Sequence, residues 1–438
     1  ITCGLIFILG VVLPLGLCKG KSYENYKVYQ VTPDKDEDLA VLIPWTEKEN
    51  VDFWDTSSQP RIMVSPEEQA NFEEFLQLKN LPYSVVIDNV QITIDRERAE
   101  QDARKAARGV SPRHVTEDFD HFWSYTEINT YVRRMATENP QYVTLMNLGE
   151  TFEGREVLGL RITAPGNDAQ RPIIYIDATI HAREWIAPMV AVYLIHELAE
   201  HTADHLSVLE NVVWIIQPIV NPDGYEFTYA EDGDRFWRKT RTINENSACL
   251  GVDANRNYDH YWANGQSAGE CTLTYAGTAP FSVAESRIVR DVVLTNVDRM
   301  KLYISLHSYG SLFMYPFSSH SNVMPENFRF QHEAGDVFAK GVFSVNQTPY
   351  QVGNGAGILG VSSGTSKDWT YSGPGIPLSY TLELPRGGSG GFDPPPSAIE
   401  GVVSETFVGL RDIAGFVIEK YYPISANSEA KATPDNAH

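Results

Sequence analysis

His181 and Glu184 stand three residues apart in the stretch IIYIDATIHAREW, residues 173–185, close enough for both side chains to turn toward one ion. Among eleven histidines a His-x-x-Glu match arises by chance about once, so the pair needs a third ligand from elsewhere. His307, at the end of the apolar run MKLYISL, supplies one. Two His and one Glu, with the fourth position left for water, is the pattern of a catalytic zinc site. A nitrogen, nitrogen, oxygen set suits one Zn2+ better than copper or iron, for which no softer or facial set is apparent. A rival pattern lies at 196–201, HELAEH. Its two histidines are five residues apart, about 140° around a helix, which predicts that His196 and His201 cannot share an ion. His201 and His205 have i, i+4 spacing but no intervening Glu, and read as solvated surface residues.

Elements able to position such a set are visible around it. Residues 173–180 form an apolar run bounded by polar punctuation, as a strand covered on both faces does. From Phe119 onward, strands are expected at 143–149, 157–163, 173–180, 211–220, 300–309 and 378–384, and helices at 125–138, 186–204, 282–298, 325–344 and 401–421. One mixed, mostly parallel α/β sheet with helices on both faces accounts for the alternation. In such sheets ligands bind beyond the carboxyl ends of the strands, where His181 and His307 fall.

Residues 21–108 read as a separate small domain. Strands at 26–31, 51–56, 61–65 and 83–90 alternate with helices at 36–47 and 65–79, the second opened by Ser65-Pro66. This β-α-β-β-α-β order is ferredoxin-like α+β. A further helix is expected over 94–110, running into an exposed connection where Arg104, Lys105, Arg108 and Arg113 cluster. The connection reads as an activation segment, cut near Arg108 or Arg113 by a trypsin-like protease. Residues 1–20 read as a signal peptide, truncated at its start, with an apolar run too short and too Pro-broken for an anchor. The domain plan is therefore a leader over 1–20, an activation pro-domain over 21–108 and a catalytic domain over 109–438.

Hydrophobic residues make up 42% of the chain, so it is globular. The charge of −22, from 35 basic and 57 acidic residues, argues against nucleic acid or an anionic membrane as partner. Of four cysteines, Cys3 and Cys18 fall in the leader; in a secreted, extracellular protein Cys249 and Cys271 are then expected to form one disulfide. Asn346 opens an N-x-Thr glycosylation acceptor.

The motifs HAREW (181–185), NPDGYEFT (221–228), FWRKTR (236–241), GVDANRNY (251–258), SLHSY (305–309) and TLELPRGG (381–388) resemble, in order and spacing, the zinc metallocarboxypeptidases of the pancreatic A/B type. The resemblance runs from about residue 125 to 422, and the leader and small domain match the secreted zymogens of that family. Carboxypeptidase A is itself a standard example of the two-His, one-Glu set. The resemblance implies zinc ligands His181, Glu184 and His307, with Asp253 orienting the first histidine. It implies Glu383 as general base and Arg238 as stabiliser of the oxyanion. Asn255 and Arg256 would grip the substrate's C-terminal carboxylate, Arg183 and Tyr309 would line the substrate site, and Cys249–Cys271 would be the family disulfide. Substrates would be peptide and protein C-termini, taken by a monomer. A catalytically silent peptide-binding homologue is the alternative from another class; the intact His181, Glu184, His307, Arg238 and Glu383 argue against it.

Two positions depart from the family pattern. Gly360 stands where the family has a mobile Tyr that closes over substrate. Lys367 stands at the bottom of the specificity pocket, which is apolar in A-type enzymes and carries Asp in B-type ones. A buried ammonium needs a partner. A substrate Glu or Asp would provide it, at about 1.5–3 kcal/mol or roughly 10- to 150-fold in preference. Selectivity for C-terminal glutamate follows as the expectation, with A-type or B-type specificity as the alternative should Lys367 bind a neighbouring carboxylate instead.

Overall fold

A computed structural model describes residues 20–422 except 56, 108–118, 246, 264–268 and 389–390. Residues 1–19 of the expected leader, the expected cleavage sites Arg108 and Arg113, and residues 423–438 lie outside the described residues.

The first domain holds strands β1 (Lys27–Val31), β2 (Val51–Phe53), β3 (Arg61–Val64) and β4 (Tyr83–Ile87) in the order β2-β3-β1-β4, all antiparallel. Successive side chains of a strand face opposite ways, and here both faces are apolar. Tyr29, Val31, Ile62 and Val64 pack on Phe72 and Leu76 of the helix Gln69–Leu78. Val28 and Met63, on the other face, join Phe236, Tyr309 and Phe392 of the second domain. A sheet apolar on both sides must be covered on both, and the second domain is the cover. Three expectations need correction. The segment Asp36–Trp45 is a 3-10 helix with Pro44 inside it. Ser65-Pro66 forms a turn, with Glu68 N donating to Ser65 O, and the helix starts only at Gln69. The following helix runs Val90–Ala107, earlier than its composition suggests.

The second domain is built on β5 (Val143–Glu150), β6 (Glu156–Ile162), β7 (Ile173–Ala178), β8 (Val213–Gln217), β9 (Met300–Ser308), β10 (Leu312–Tyr315), β11 (Gln351–Asn354) and β12 (Leu378–Leu384). Their order is β11-β10-β12-β9-β7-β8-β6-β5. The inner four are parallel, and β5, β6 and β10 run antiparallel to their inner neighbours. Alternation along β7 and β9 splits the core in two. Ile174, Ile176, Leu302 and Ile304 face the helices Ile186–Glu200 and Ile399–Tyr421, whereas Ile173, Tyr175 and Tyr303 face Val289 and Trp369. The helix Tyr125–Glu138 is closed by a reciprocal capping box between Ser124 and Glu127. Among the described residues, no helix is long and apolar enough to cross a membrane.

Candidate active site

The chain leaves β7 through Thr179, held at φ +63° with its hydroxyl donating to Pro218 O, and turns His181 and Glu184 back over the strand ends. His307 lies near the end of β9, next in the sheet. Three side chains converge there: His181 Nδ1 is 2.8 Å from Glu184 Oε1, and His307 Nδ1 is 3.1 Å from both His181 Nδ1 and Glu184 Oε2. A tetrahedral ion with bonds of about 2.0–2.1 Å has ligand–ligand edges of roughly 3.3 Å. Two imidazole Nδ1 atoms facing each other beside a carboxylate, all nearly solvent-free, suit a cation between them.

The far nitrogens fix the tautomers. His181 Nε2 lies 3.1 Å from Asp253 Oδ1, which leaves Nδ1 as the lone-pair atom. For His307 the orienting groups are ones that motif reading misses. Ser305 Oγ donates to Asp177 Oδ1 (2.6 Å) and, its proton so committed, accepts from His307 Nε2 (3.2 Å). Tyr303 OH donates to the other Asp177 oxygen. Burial pushes the Asp177 carboxyl up to about 6, against those bonds and His307. The signal was present in IIYIDATI: an aspartate inside a buried strand needs partners, and register sets Asp177 opposite Ser305.

Asp253 also binds Arg238, whose Nε and NH2 donate to Oδ2 at 3.1 and 2.8 Å. Despite burial, Arg238 and His181 hold the Asp253 carboxyl well below its ordinary range. Glu383 pairs in register with His307, so both side chains leave the sheet side by side. Its Oε2 is buried without a hydrogen-bond partner. Burial, with repulsion from Glu184, pushes the Glu383 carboxyl up to about 8 against His307, Arg238 and Arg256. An orphaned carboxylate oxygen beside a cluster of metal-ligand type is a place for a bound water.

Comparison with known proteins decides the family. Residues 128–409 match the zinc carboxypeptidase family, and residues 29–97 match the carboxypeptidase activation peptide. The chain belongs to the zinc carboxypeptidases. It is 36% identical to carboxypeptidase B of Helicoverpa zea over 91% of this chain and 96% of that one. Human carboxypeptidase B is 30% identical over 95% and 99%. The crystal structure of carboxypeptidase A from Helicoverpa armigera superposes with TM-score 0.83 at 32% identity, covering 90% of this chain and 98% of that one. The protein is accordingly a zinc carboxypeptidase zymogen with an activation peptide, and His181, Glu184 and His307 are its candidate zinc ligands.

In this carboxypeptidase Asn255 and Arg256 follow Asp253 in a tight turn. Asn255 Oδ1 accepts from Ser366 N, and Arg256 NH2 lies 3.3 Å from Ser362 Oγ. Lys367, 1% exposed, donates to Ser318 Oγ at 2.5 Å and to Asp368 Oδ1 at 2.9 Å. Asp368 in turn accepts from the backbone of Ser318 and Ser319. The ammonium therefore has a carboxylate neighbour already. Gly355 lies against it: a Cβ there would sit 2.1 Å from Ser318 Oγ and 2.8 Å from Lys367 Nζ. Gly360 has φ +80°, a left-handed backbone that disfavours any side chain, with open space around it.

The activation domain docks over this site. Asp52 binds the Arg183 guanidinium through both carboxylate oxygens, and both side chains are buried. Glu97 does the same to Arg235, at 2.6 and 2.8 Å. Tyr309 OH donates to Asp55 (3.1 Å) and Tyr23 OH to Asp234 (2.6 Å). The Cys249–Cys271 disulfide is formed. Asn346 is exposed in the last turn of the helix Phe328–Asn346. His205 is buried and bound to Glu197, contrary to the expected solvated residue. His196 and His201 lie far closer than helical spacing allows, because the helix ends at Glu200.

Proposed function

We propose that the protein is a secreted procarboxypeptidase whose mature enzyme removes C-terminal acidic residues, glutamate foremost, from peptides. The observation that carries the specificity is the buried Lys367 ammonium. An ammonium has three donors; two go to Ser318 and Asp368, and an entering carboxylate takes the third. Asp368 is already held by two backbone N–H groups, which leaves less of its charge to offset Lys367. Gly355 brings its backbone close against the ammonium, where a Cβ would collide with Ser318 Oγ and Lys367 Nζ, so any larger residue there would crowd the charge.

The proposed chemistry assigns one task to each group. Arg256, with Asn255, anchors the terminal carboxylate by charge-assisted bonds and so makes the enzyme an exopeptidase. His181, Glu184 and His307 would hold the zinc, which would supply Lewis-acid polarisation of the scissile carbonyl and make the attacking water more acidic. Glu383, through its unpartnered oxygen, takes the water's proton and later delivers it to the leaving amine. Arg238 meets the negative charge developing on the carbonyl oxygen. Asp253 and the Asp177–Ser305 pair keep the two imidazoles in the required tautomers. In the zymogen, Asp52 and Glu97 occupy Arg183 and Arg235 until a trypsin-like protease cuts the connection near Arg108 or Arg113. Asn346 is the proposed glycosylation site.

The Lys367–Asp368 pair also favours a second reading, a neutral pocket with broad A-type selectivity. One assay separates the two: trypsin-treated protein on matched peptides ending in Glu, Lys or Phe, with and without a chelator. The acidic reading expects the Glu peptide to be turned over at least tenfold faster than the others, and the chelator to abolish it. Best turnover of the Phe or Lys peptide would refute the acidic reading.

A further inference from the structure

The helix that starts beside the catalytic ligands ends in a second pair of histidines. Helical spacing would hold His196 and His201 about 140° apart around the axis. The last helical residue is Glu200, however, and His201 adopts φ −109°, ψ 36°, so its ring swings back over the preceding turn. The two Nε2 atoms come within 3.2 Å, with ring planes at 83°. That separation is close to the ligand–ligand edge of about 3.3 Å for a tetrahedral ion with metal–nitrogen bonds of roughly 2.0–2.1 Å.

We propose that His196 Nε2 and His201 Nε2 form a second metal site, for a divalent cation of the zinc, nickel and copper group, completed by water. Two imidazoles are the ligands such borderline cations favour. His196 is poised for the role: its Nδ1 is buried without a hydrogen-bond partner, and the nearest acidic oxygen is Glu200 Oε1 at 3.7 Å. A proton on Nδ1 faces that carboxylate favourably, which leaves Nε2 as the lone-pair atom, as Asp253 does for His181. His201 is exposed, so the cation has a path in, and its ring can change tautomer freely. Electrostatics agree. The carbonyl end of the helix macrodipole points at the site. Glu197 and Glu200 lie within one turn of His196, with His205 bound to Glu197 and with Tyr131 and Arg134 bound to Glu200. An ion here would tie the helix end to the turn at 201–205, some twenty residues from the catalytic ligands.

The test uses the untagged, full-length zymogen dialysed against micromolar Zn2+, with metal per chain measured by elemental analysis. Wild type is expected to retain about two ions and His201→Ala about one. Glu184→Gln, which damages the catalytic set, is expected to keep the ion at the helix end. Nickel-charged resin should hold wild type and release His201→Ala. Because His201 is exposed, its loss leaves the core untouched, and a circular dichroism melt checks that the variant is folded. A single ion in wild type, or two ions retained by folded His201→Ala, would overturn the proposal.

Discussion

Replacing Asp52 with Asn tests whether the activation domain works by occupying Arg183. In the docked state both carboxylate oxygens of Asp52 reach the guanidinium, and the pair is buried, at 8% and 1% exposure. Removing one partner of a buried ion pair costs about 3–5 kcal/mol, because the remaining charge stays desolvated. The undocked state carries no such cost, since Arg183 regains water. The docking equilibrium should therefore shift toward the open form by roughly 100- to 4,000-fold. The Glu97–Arg235 pair still holds the domain, so the variant remains a zymogen, but a leaky one. The assay is hydrolysis of a chromogenic C-terminal substrate by uncleaved protein, with trypsin-activated samples of both forms as reference. Residual activity of Asp52→Asn should rise at least tenfold while the activated forms match. Equal residual activity before cleavage, with equal rates of tryptic activation, would show that the ion pair contributes nothing to latency.

Three other outcomes are expected. Glu383→Gln should lower kcat by about 10²- to 10⁴-fold while the protein keeps its zinc, as removal of a general base does; unchanged kcat removes Glu383 from the mechanism. Gly355→Val should cut kcat/KM on Glu-ending peptides by tenfold or more, since its side chain must enter the space next to Lys367 Nζ; an unaffected rate would place the pocket elsewhere. Glu285, fully buried at the start of the helix Ala284–Thr295, has its carboxyl pushed from 4.5 to about 7 by burial, opposed chiefly by its own backbone N–H. Its folded pKa lies above the unfolded one, so the unfolded chain loses the proton first and stability falls between about pH 4.5 and 7. Glu285→Gln should match wild type in stability near pH 4 and exceed it by up to ~3 kcal/mol at pH 8, read from urea titrations of the zymogen. A pH-independent difference would contradict the shift.

The reaction was more legible in the sequence than the architecture that supports it. His181, Glu184, His307 and Glu383 stand at the ends of long apolar strands whose periodicity is plain, and the sheet brings them together as expected. β10 and β11 were invisible because each has four residues, and QVGN is half-exposed and carries a glycine. Short segments without alternation acquire strand geometry from their neighbours, here from β12. The His196–His201 approach was missed for another reason: the composition predicts helix through 204, while the chain ends it at Glu200 and leaves His201 outside. Helix ends are decided by local capping, and one residue's departure moves a ring by several ångströms. Lys367 was legible as a buried charge, but its pairing with Asp368 and Ser318 depends on a turn that no periodicity encodes.

Lys367, Asp368, Gly355 and Gly360 all belong to one continuous excursion between β11 and β12, whereas the candidate zinc ligands and Glu383 stand on the inner strands or directly after them. On the proposed specificity, recognition of the substrate side chain and the reaction itself would be separate modules. Residues 355–372 form a cassette, seated on Ser318 and anchored through Ser366 N to Asn255. Exchange of that cassette with the matching segment of a relative would be expected to transplant side-chain preference while leaving the hydrolytic apparatus intact.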